Sequence, residues 1–285
     1  MRDALGFRTV LLTLLALVAF ASNSLLTRLA LGSHAIDAAS FTLLRLASGA
    51  LVLTSVVRVQ TGAFTAVRGR SLVGPLALFC YAGPFSFAYL RIGAAVGALV
   101  LFGVVQLTMV GYGIVRGERP SATSFAGLVV ASAGLAVLTV PSATRPDAWG
   151  LALMVTAGVA WAVYTLAGRK SPEPVAANAW SFLASSVLGV PLALVMRPEA
   201  LPSGRGVILA LVSGGVTSGL GYAIWYRALP RLSVTQAAVA QLSVPVLAAL
   251  GAALLLGEQL SARLVVAGAL VLGGVALVLS ARRRG

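Results

Sequence analysis

The residues that could do chemistry here are few, and they sit in unusual places. Arg45, Gln106, Gln236 and Gln241 interrupt long apolar runs, as does Asn23. Trp161, Tyr164, Tyr222 and Trp225 add aromatic groups with polar tips. There is one histidine, His34, and one cysteine, Cys80. No metal-ligating cluster or nucleophile–base set can be assembled from these, so neither metal, cofactor nor enzymatic catalysis is expected. All seven acids (Asp3, Asp37, Glu118, Asp147, Glu173, Glu199 and Glu258) fall at or beyond the ends of apolar runs. A carrier that exchanges protons for cationic drugs needs a carboxylate near the membrane centre. Its absence favours a neutral, zwitterionic or anionic solute.

The elements that must position these groups follow from composition. A chain of 285 residues that is 59% apolar and 10% charged, with mean hydropathy +0.98, is too apolar for a soluble globule, about a quarter of which is normally charged. Its apolar runs approach the ~20 residues that cross a bilayer as helix, and the alternation of a membrane β-barrel is absent. We read ten transmembrane helices, roughly 8–31, 37–57, 71–90, 93–115, 122–140, 149–167, 175–196, 206–226, 233–256 and 261–280. Arg2, Arg8 and Ala19-Phe20-Ala21 imitate a cleaved signal, but the run continues to Leu31, so a retained first helix is expected. Lipid is therefore one partner. The net charge of +14 is scattered over short loops without interleaved aromatics, which argues against nucleic acid.

Orientation follows from Lys and Arg in the loops. With a cytoplasmic N-terminus, the inner side carries Arg2, Arg8, Arg58, Arg68, Arg70, Arg116, Arg119, Arg169, Lys170, Arg227, Arg231 and Arg282 to Arg284. The outer side keeps only Arg28, Arg91, Arg145, Arg197, Arg205 and Arg263. Both termini are predicted to be cytoplasmic.

The chain also repeats itself. Laying Ile92–Val140 on Leu232–Ser280 matches Gly111 with Gly251, Gly117-Glu118 with Gly257-Glu258, Ser121-Ala122 with Ser261-Ala262, and Gly134 with Gly274. More weakly, Phe20-Ala21 and Arg28 fall on Trp161-Ala162 and Arg169. Residues 1–140 and 141–285 are thus two repeats of five helices, and the odd count makes the second inverted relative to the first. Glu118 and Glu258 then lie on opposite faces, each expected to cap the helix that follows it.

Taken together, these features resemble the EamA-type members of the drug/metabolite transporter superfamily. The resemblance is carried by Asn23, Arg45 and Gly117-Glu118-Arg119 in the first repeat. In the second it rests on Ala160-Trp161-Ala162, Tyr226-Arg227-Ala228-Leu229, Leu242-Ser243-Val244-Pro245 and Leu256-Gly257-Glu258. It implies a secondary transporter in a bacterial inner membrane, often an exporter of amino acids or other small metabolites, with a central cavity between the repeats. Uptake or exchange of an anionic or other small metabolite is the alternative, and a non-transporting membrane scaffold a less favoured one. Substrate and oligomeric state are not readable from the residues.

Several positions are candidates for contact with the solute. Arg45 lies eight residues into the second helix, ~12 Å deep at ~1.5 Å per residue. Its guanidinium suits a carboxylate or phosphate, or it pairs with helix-end carbonyls as a fixed element, the reading slightly preferred. Asn23, Gln106, Gln236 and Gln241 either bond between helices or meet substrate. Trp161, Tyr164, Tyr222 and Trp225 are cavity walls or interfacial anchors. Pro245 loosens the ninth helix as a kink or gate, and Gly219 and Gly221 are the glycines most suited to line a cavity. Gln236, Gln241 and Pro245 replace Val96, Leu101 and Val105 of the first copy, so the asymmetry marks where substrate is expected.

Overall fold

The computed structural model describes residues 6–62, 71–140, 147–196, 201–256 and 261–280. Among these residues the secondary structure is helical, with ten stretches long and apolar enough to cross a membrane. We number them α1 (Phe7–Gly32), α2 (Ala38–Thr61), α3 (Val73–Ile92), α4 (Val96–Val115), α5 (Ala122–Thr139), α6 (Ala148–Arg169), α7 (Pro174–Met196), α8 (Gly204–Arg231), α9 (Val234–Leu255) and α10 (Ala262–Ser280). Side chains such as Leu107, Leu194 and Leu254 lie exposed along the outside, as expected where lipid replaces water as the solvent.

The sequence reading separates α3 from α4 by a short break. The structure instead carries helical backbone bonding from Val73 through Val115, and the two halves nevertheless lie side by side. Arg91 meets Asp147 at 3.3 Å, Tyr81 stacks on Trp161, and Trp180 bonds the Ser71 carbonyl at 3.2 Å. On the second half, a Cβ on Gly97 would meet Met154 at 3.0 Å, and one on Gly158 would meet Val104 at 2.8 Å. Near the far end, Glu118 meets Arg169. So α3 runs antiparallel to α6 and α4 parallel to it. The chain reverses near the Arg91 end, and the two ends of α6 serve below to name the membrane faces: the Arg91 side and the Arg169 side.

The inverted repeat is visible in the contacts. A Cβ on Gly274 would lie 2.6 Å from the Ala131 nitrogen, and one on Gly134 would lie 2.8 Å from the Val271 nitrogen. The 140-residue repeat exchanges these two contacts, since it maps Ala131 on Val271 and Gly134 on Gly274. Helices α5 and α10 therefore cross antiparallel about a pseudo-two-fold axis. Phe20 and Trp161, equivalent in the two copies, meet edge to face at 5.4 Å. Lipid offers helices no hydrophobic reason to associate, so this close backbone approach is what packs them.

Two departures from regular helix break the symmetry. In α8, residues Ser213–Leu220 form a π-helix, a wide turn that the sequence reading did not anticipate. Gly214 sits at its crossing with α2, where a Cβ would lie 2.0 Å from the Arg45 carbonyl oxygen. In α9, helix ends at Ala240 and resumes at Ser243. Pro245 has no N–H for the Gln241 carbonyl four residues back, and Val244 bonds it instead at 3.1 Å. The break thus lies one turn before the proline that causes it.

Gly274→Ala is expected to destabilise the protein by about 1–3 kcal/mol through overpacking against α5. Gly273→Ala should be neutral, because a Cβ there meets nothing within 4 Å. Thermal melting of both variants in one detergent distinguishes them.

Candidate functional site

A cavity of about 540 Å³ opens between α1, α3, α4, α5 and α9. Arg28, Tyr89 and Thr139 at its wall lie toward the Arg91 side, and Pro245 with Ala248 forms the opposing wall just after the α9 break. At its deep end a smaller recess shares the walls Ser24, Phe85, Leu101, Phe102 and Val244. Phe20, Asn23, Tyr81, Trp161, Tyr222 and Gln241 complete this floor. Neither wall carries a carboxylate.

The floor is held by a polar network between helices. The Trp161 indole N–H donates to Gln241 Oε1. Gln241 Nε2 bonds the Ala237 carbonyl at 3.0 Å, an acceptor within α9 that spares the amide a desolvation cost. Asn23 Oδ1 accepts from Ser213 at 2.7 Å and from Thr217 and Ser218 at 3.3 Å. The i→i+5 pattern of a π-turn brings Ser218, five residues after Ser213, onto the face that Ser213 shares with Thr217 four residues on. Arg45 is buried to 1% exposure. It donates from Nε to Ser218 Oγ at 3.0 Å and from Nη2 to the Tyr222 hydroxyl at 2.8 Å. Its guanidinium lies 5.5 Å from the Tyr81 ring centroid, and Nη1 has no partner among the described residues. The helix-end carbonyls considered as partners for this residue are replaced by neutral hydroxyls.

Beyond the floor the protein is closed. Tyr164 packs 5.9 Å from Tyr222 and 5.2 Å from Tyr226, its hydroxyl donating to Asn178. The Tyr226 hydroxyl bonds the Tyr164 carbonyl at 2.8 Å. On the other side of Tyr226 lies a second cleft of about 230 Å³, between α3, α6 and α7, lined by Gly74, Gly168, Trp180 and Ser181. A few rings thus separate two clefts that approach from opposite faces.

The Arg169 side is also fastened by charge. Gly117 adopts φ +88°, a conformation open to glycine. Glu118 and Gly117 donate their N–H groups to the Gly113 and Ile114 carbonyls at 2.8 and 2.9 Å, the Schellman closure of α4. This aims Glu118 across the repeat boundary. Its carboxylate accepts from the Val234 and Thr235 N–H groups at 2.8 and 3.2 Å and pairs with Arg169 at 3.6 Å. Arg169 in turn donates to the Leu232 carbonyl at 2.8 Å. The expectation that Glu118 caps the helix following it is therefore corrected. Ser121 caps α5, accepting from the Ser124 N–H at 3.1 Å, and Glu118 caps α9. Glu258 lies outside the described residues.

The structure gathers Asn23, Trp161, Tyr222 and Gln241 at the floor, with Arg45 directly behind. The other candidates lie elsewhere. Gln236 closes a capping box with Ser233 at the start of α9, and Gln106 donates to the Ala238 carbonyl at 2.6 Å. Tyr164 belongs to the closed layer, and Trp225, fully buried rather than interfacial, packs edge to face on Phe20 at 5.7 Å. Gly219 packs on Gly49 and Gly221 on Ala19, so both serve helix contacts instead of lining the cavity. Sequence reasoning missed Phe20, Tyr81, Arg169 and the hydroxyls of Ser213, Thr217 and Ser218. Ser213 and Thr217, four residues apart, would share a face of any α-helix, but Ser218, five residues on from Ser213, joins them through the π-turn.

Glu118→Ala is expected to cost about 1–2 kcal/mol, the range of a lost helix cap with a partly exposed ion pair. Combined with Ser233→Ala, which strips the same helix end, the losses should couple; combined with Ser121→Ala they should add. Double-mutant cycles on melting curves read the difference.

Comparison with known proteins follows the same lines. The EamA-like transporter family model matches residues 148–280. A Pseudomonas aeruginosa protein, PA1977, which carries no functional description, is 49% identical over 96% of both chains. The threonine/homoserine exporter RhtA of Escherichia coli K12 is 29% identical over 48% of each chain. One crystal structure shares the fold with a TM-score of 0.83 at 22% identity, covering 97% of this chain and 99% of that one. With ten spanning helices, an inverted repeat and these matches, the chain is a multi-pass membrane protein that belongs to the EamA-like transporter family.

Proposed function

We propose that this transporter exports small polar metabolites, amino acids first, across a bacterial inner membrane by alternating access, with both termini in the cytoplasm. The observation that carries the reading is the pair of clefts, about 540 and 230 Å³, that approach from opposite faces and are parted by the rings of Tyr164 and Tyr226. Rocking of the two repeats would open one cleft as the other closes around a floor at mid-depth. In this state the cavity opens on the Arg91 side, which the distribution of Lys and Arg assigns to the exterior. Glu118, Arg169 and the start of α9 hold the other side shut.

The chemistry of the floor supports a polar solute. It offers an indole, amides and phenols among apolar walls, and its lack of a carboxylate argues against proton-for-cation exchange. The name of the relative RhtA points toward amino acids and toward export. Uptake or exchange of an anionic metabolite is the second reading, favoured by Arg28 at the wall and Arg45 behind the floor.

Proteoliposomes loaded in turn with a panel of radiolabelled amino acids should show saturable efflux of at least one. Absence of flux for every solute, with the reconstituted protein folded, would overturn the transport reading. Flux that requires a counter-substrate on the opposite side would favour exchange. Trp161→Leu, which removes the ring and its bond to Gln241, is expected to lower efflux at least about tenfold, the factor matching one lost buried hydrogen bond to a partner left unpaired.

A further inference from the structure

Arg45 carries a whole positive charge into the membrane interior, and the described residues give it no anion. Its two bonded donors end on neutral hydroxyls of Ser218 and Tyr222, its face rests on Tyr81, and Nη1 has no partner among the described residues. Such a charge is costly unless it is paired or faces water. The Ser218 and Tyr222 hydroxyls share the charge without balancing it, because both are neutral.

We propose that the missing counter-ion is the substrate's own carboxylate, taken up at the floor against Tyr222 and Tyr81, and that Arg45 is the residue that selects for it. This rests on the reading that the cavity is the transport site. The geometry supports it in three ways. Tyr222 and Tyr81 both line the floor and both touch Arg45, so the cation stands one side chain behind the wall. The Tyr222 oxygen already accepts from Arg45, which leaves its proton to be donated elsewhere. Ser218 likewise turns its hydroxyl to Asn23, so the network runs outward from the guanidinium as a chain of donors polarised by one charge. A single guanidinium with no competing acid matches a monoanion; a dianionic phosphate would bring one charge too many.

A zwitterionic amino acid adds no net charge, so binding moves the site's single positive charge from Arg45 to the solute's ammonium group. An amino acid that binds with its carboxylate near Arg45 leaves the ammonium group facing the indole and phenol rings of Trp161, Tyr222 and Tyr81, whose faces attract cations. An acid without the amino group satisfies the same charge, so 2-hydroxy acids are also accepted.

The test uses the purified full chain in detergent, and reads the melting temperature against concentration for matched probes: threonine, leucine and phenylalanine, their amides, and their 2-hydroxy acids. Free acids and hydroxy acids should stabilise the protein, with amides at least about tenfold weaker, as expected for loss of a charge-assisted bond. Arg45→Gln should erase this discrimination and Arg45→Lys keep part of it. If Arg45→Gln does not fold, Tyr222→Phe, which keeps the ring and loses the proton, should narrow the gap between acid and amide. Amides that bind as well as acids, no stabilisation by any carboxylate, or tighter binding of phosphoserine and glycerol phosphate would each overturn the proposal. Carboxylate-selective binding without flux in proteoliposomes would overturn only the transport reading.

Discussion

A bilayer gives apolar helices no hydrophobic reason to associate, so this fold depends on how closely their backbones can approach. Glycine supplies that approach where it matters. Gly134 and Gly274 let α5 and α10 cross at a pseudo-two-fold axis, and Gly214 lets the π-turn of α8 press against the backbone of Arg45. The first contact ties the halves together symmetrically. The second also joins the halves, α8 of the second repeat to α2 of the first, and it builds the polar floor. Without it, Ser213, Thr217 and Ser218 would not meet at Asn23, and Arg45 would lose the Ser218 hydroxyl that receives one of its donors.

The same economy governs the closed face. A helix beginning inside a membrane protein exposes N–H groups that need partners. The start of α9 finds some in Ser233 of its own chain segment and others in Glu118 of the opposite repeat. One carboxylate thus satisfies a helix end and joins two halves that transport requires to move apart. Its partial exposure suits that role, since a bond at the membrane surface can be exchanged for water. The aromatic layer of Tyr164 and Tyr226 lies deeper and closes without charge, by ring packing and by the hydroxyl bonds to Asn178 and the Tyr164 carbonyl.

Helix number and inversion were legible in the sequence, and Asn23, Trp161, Tyr222 and Gln241 stood out there as polar-tipped groups within apolar runs, because each rests on a local signal. Apolar length, a repeated Gly-Glu pair and polar groups in apolar runs do not require knowledge of neighbours. What escaped depends on the partner helix. Glu118 reads as a cap for the helix after it, and only the Schellman turn at Gly117 shows that it points at α9. Gln236 reads like Gln241, yet it lies in a capping box while Gln241 reaches the floor. Gly219 and Gly221 sit beside Tyr222 in sequence but pack on α2 and α1. The π-turn had no clear signal, since its residues also fit an ordinary helix.

The central claim is that two clefts open in alternation around one floor. Site-directed labelling tests it most directly. In a Cys80→Ser background, Leu138→Cys reports the wall of the larger cavity and Ala177→Cys the cleft beyond Tyr226. In membranes labelled from either side with an impermeant maleimide, addition of a transported solute should shift reactivity in opposite directions at the two positions. Simultaneous reactivity of both, or a solute that protects both without exposing either, would contradict the account.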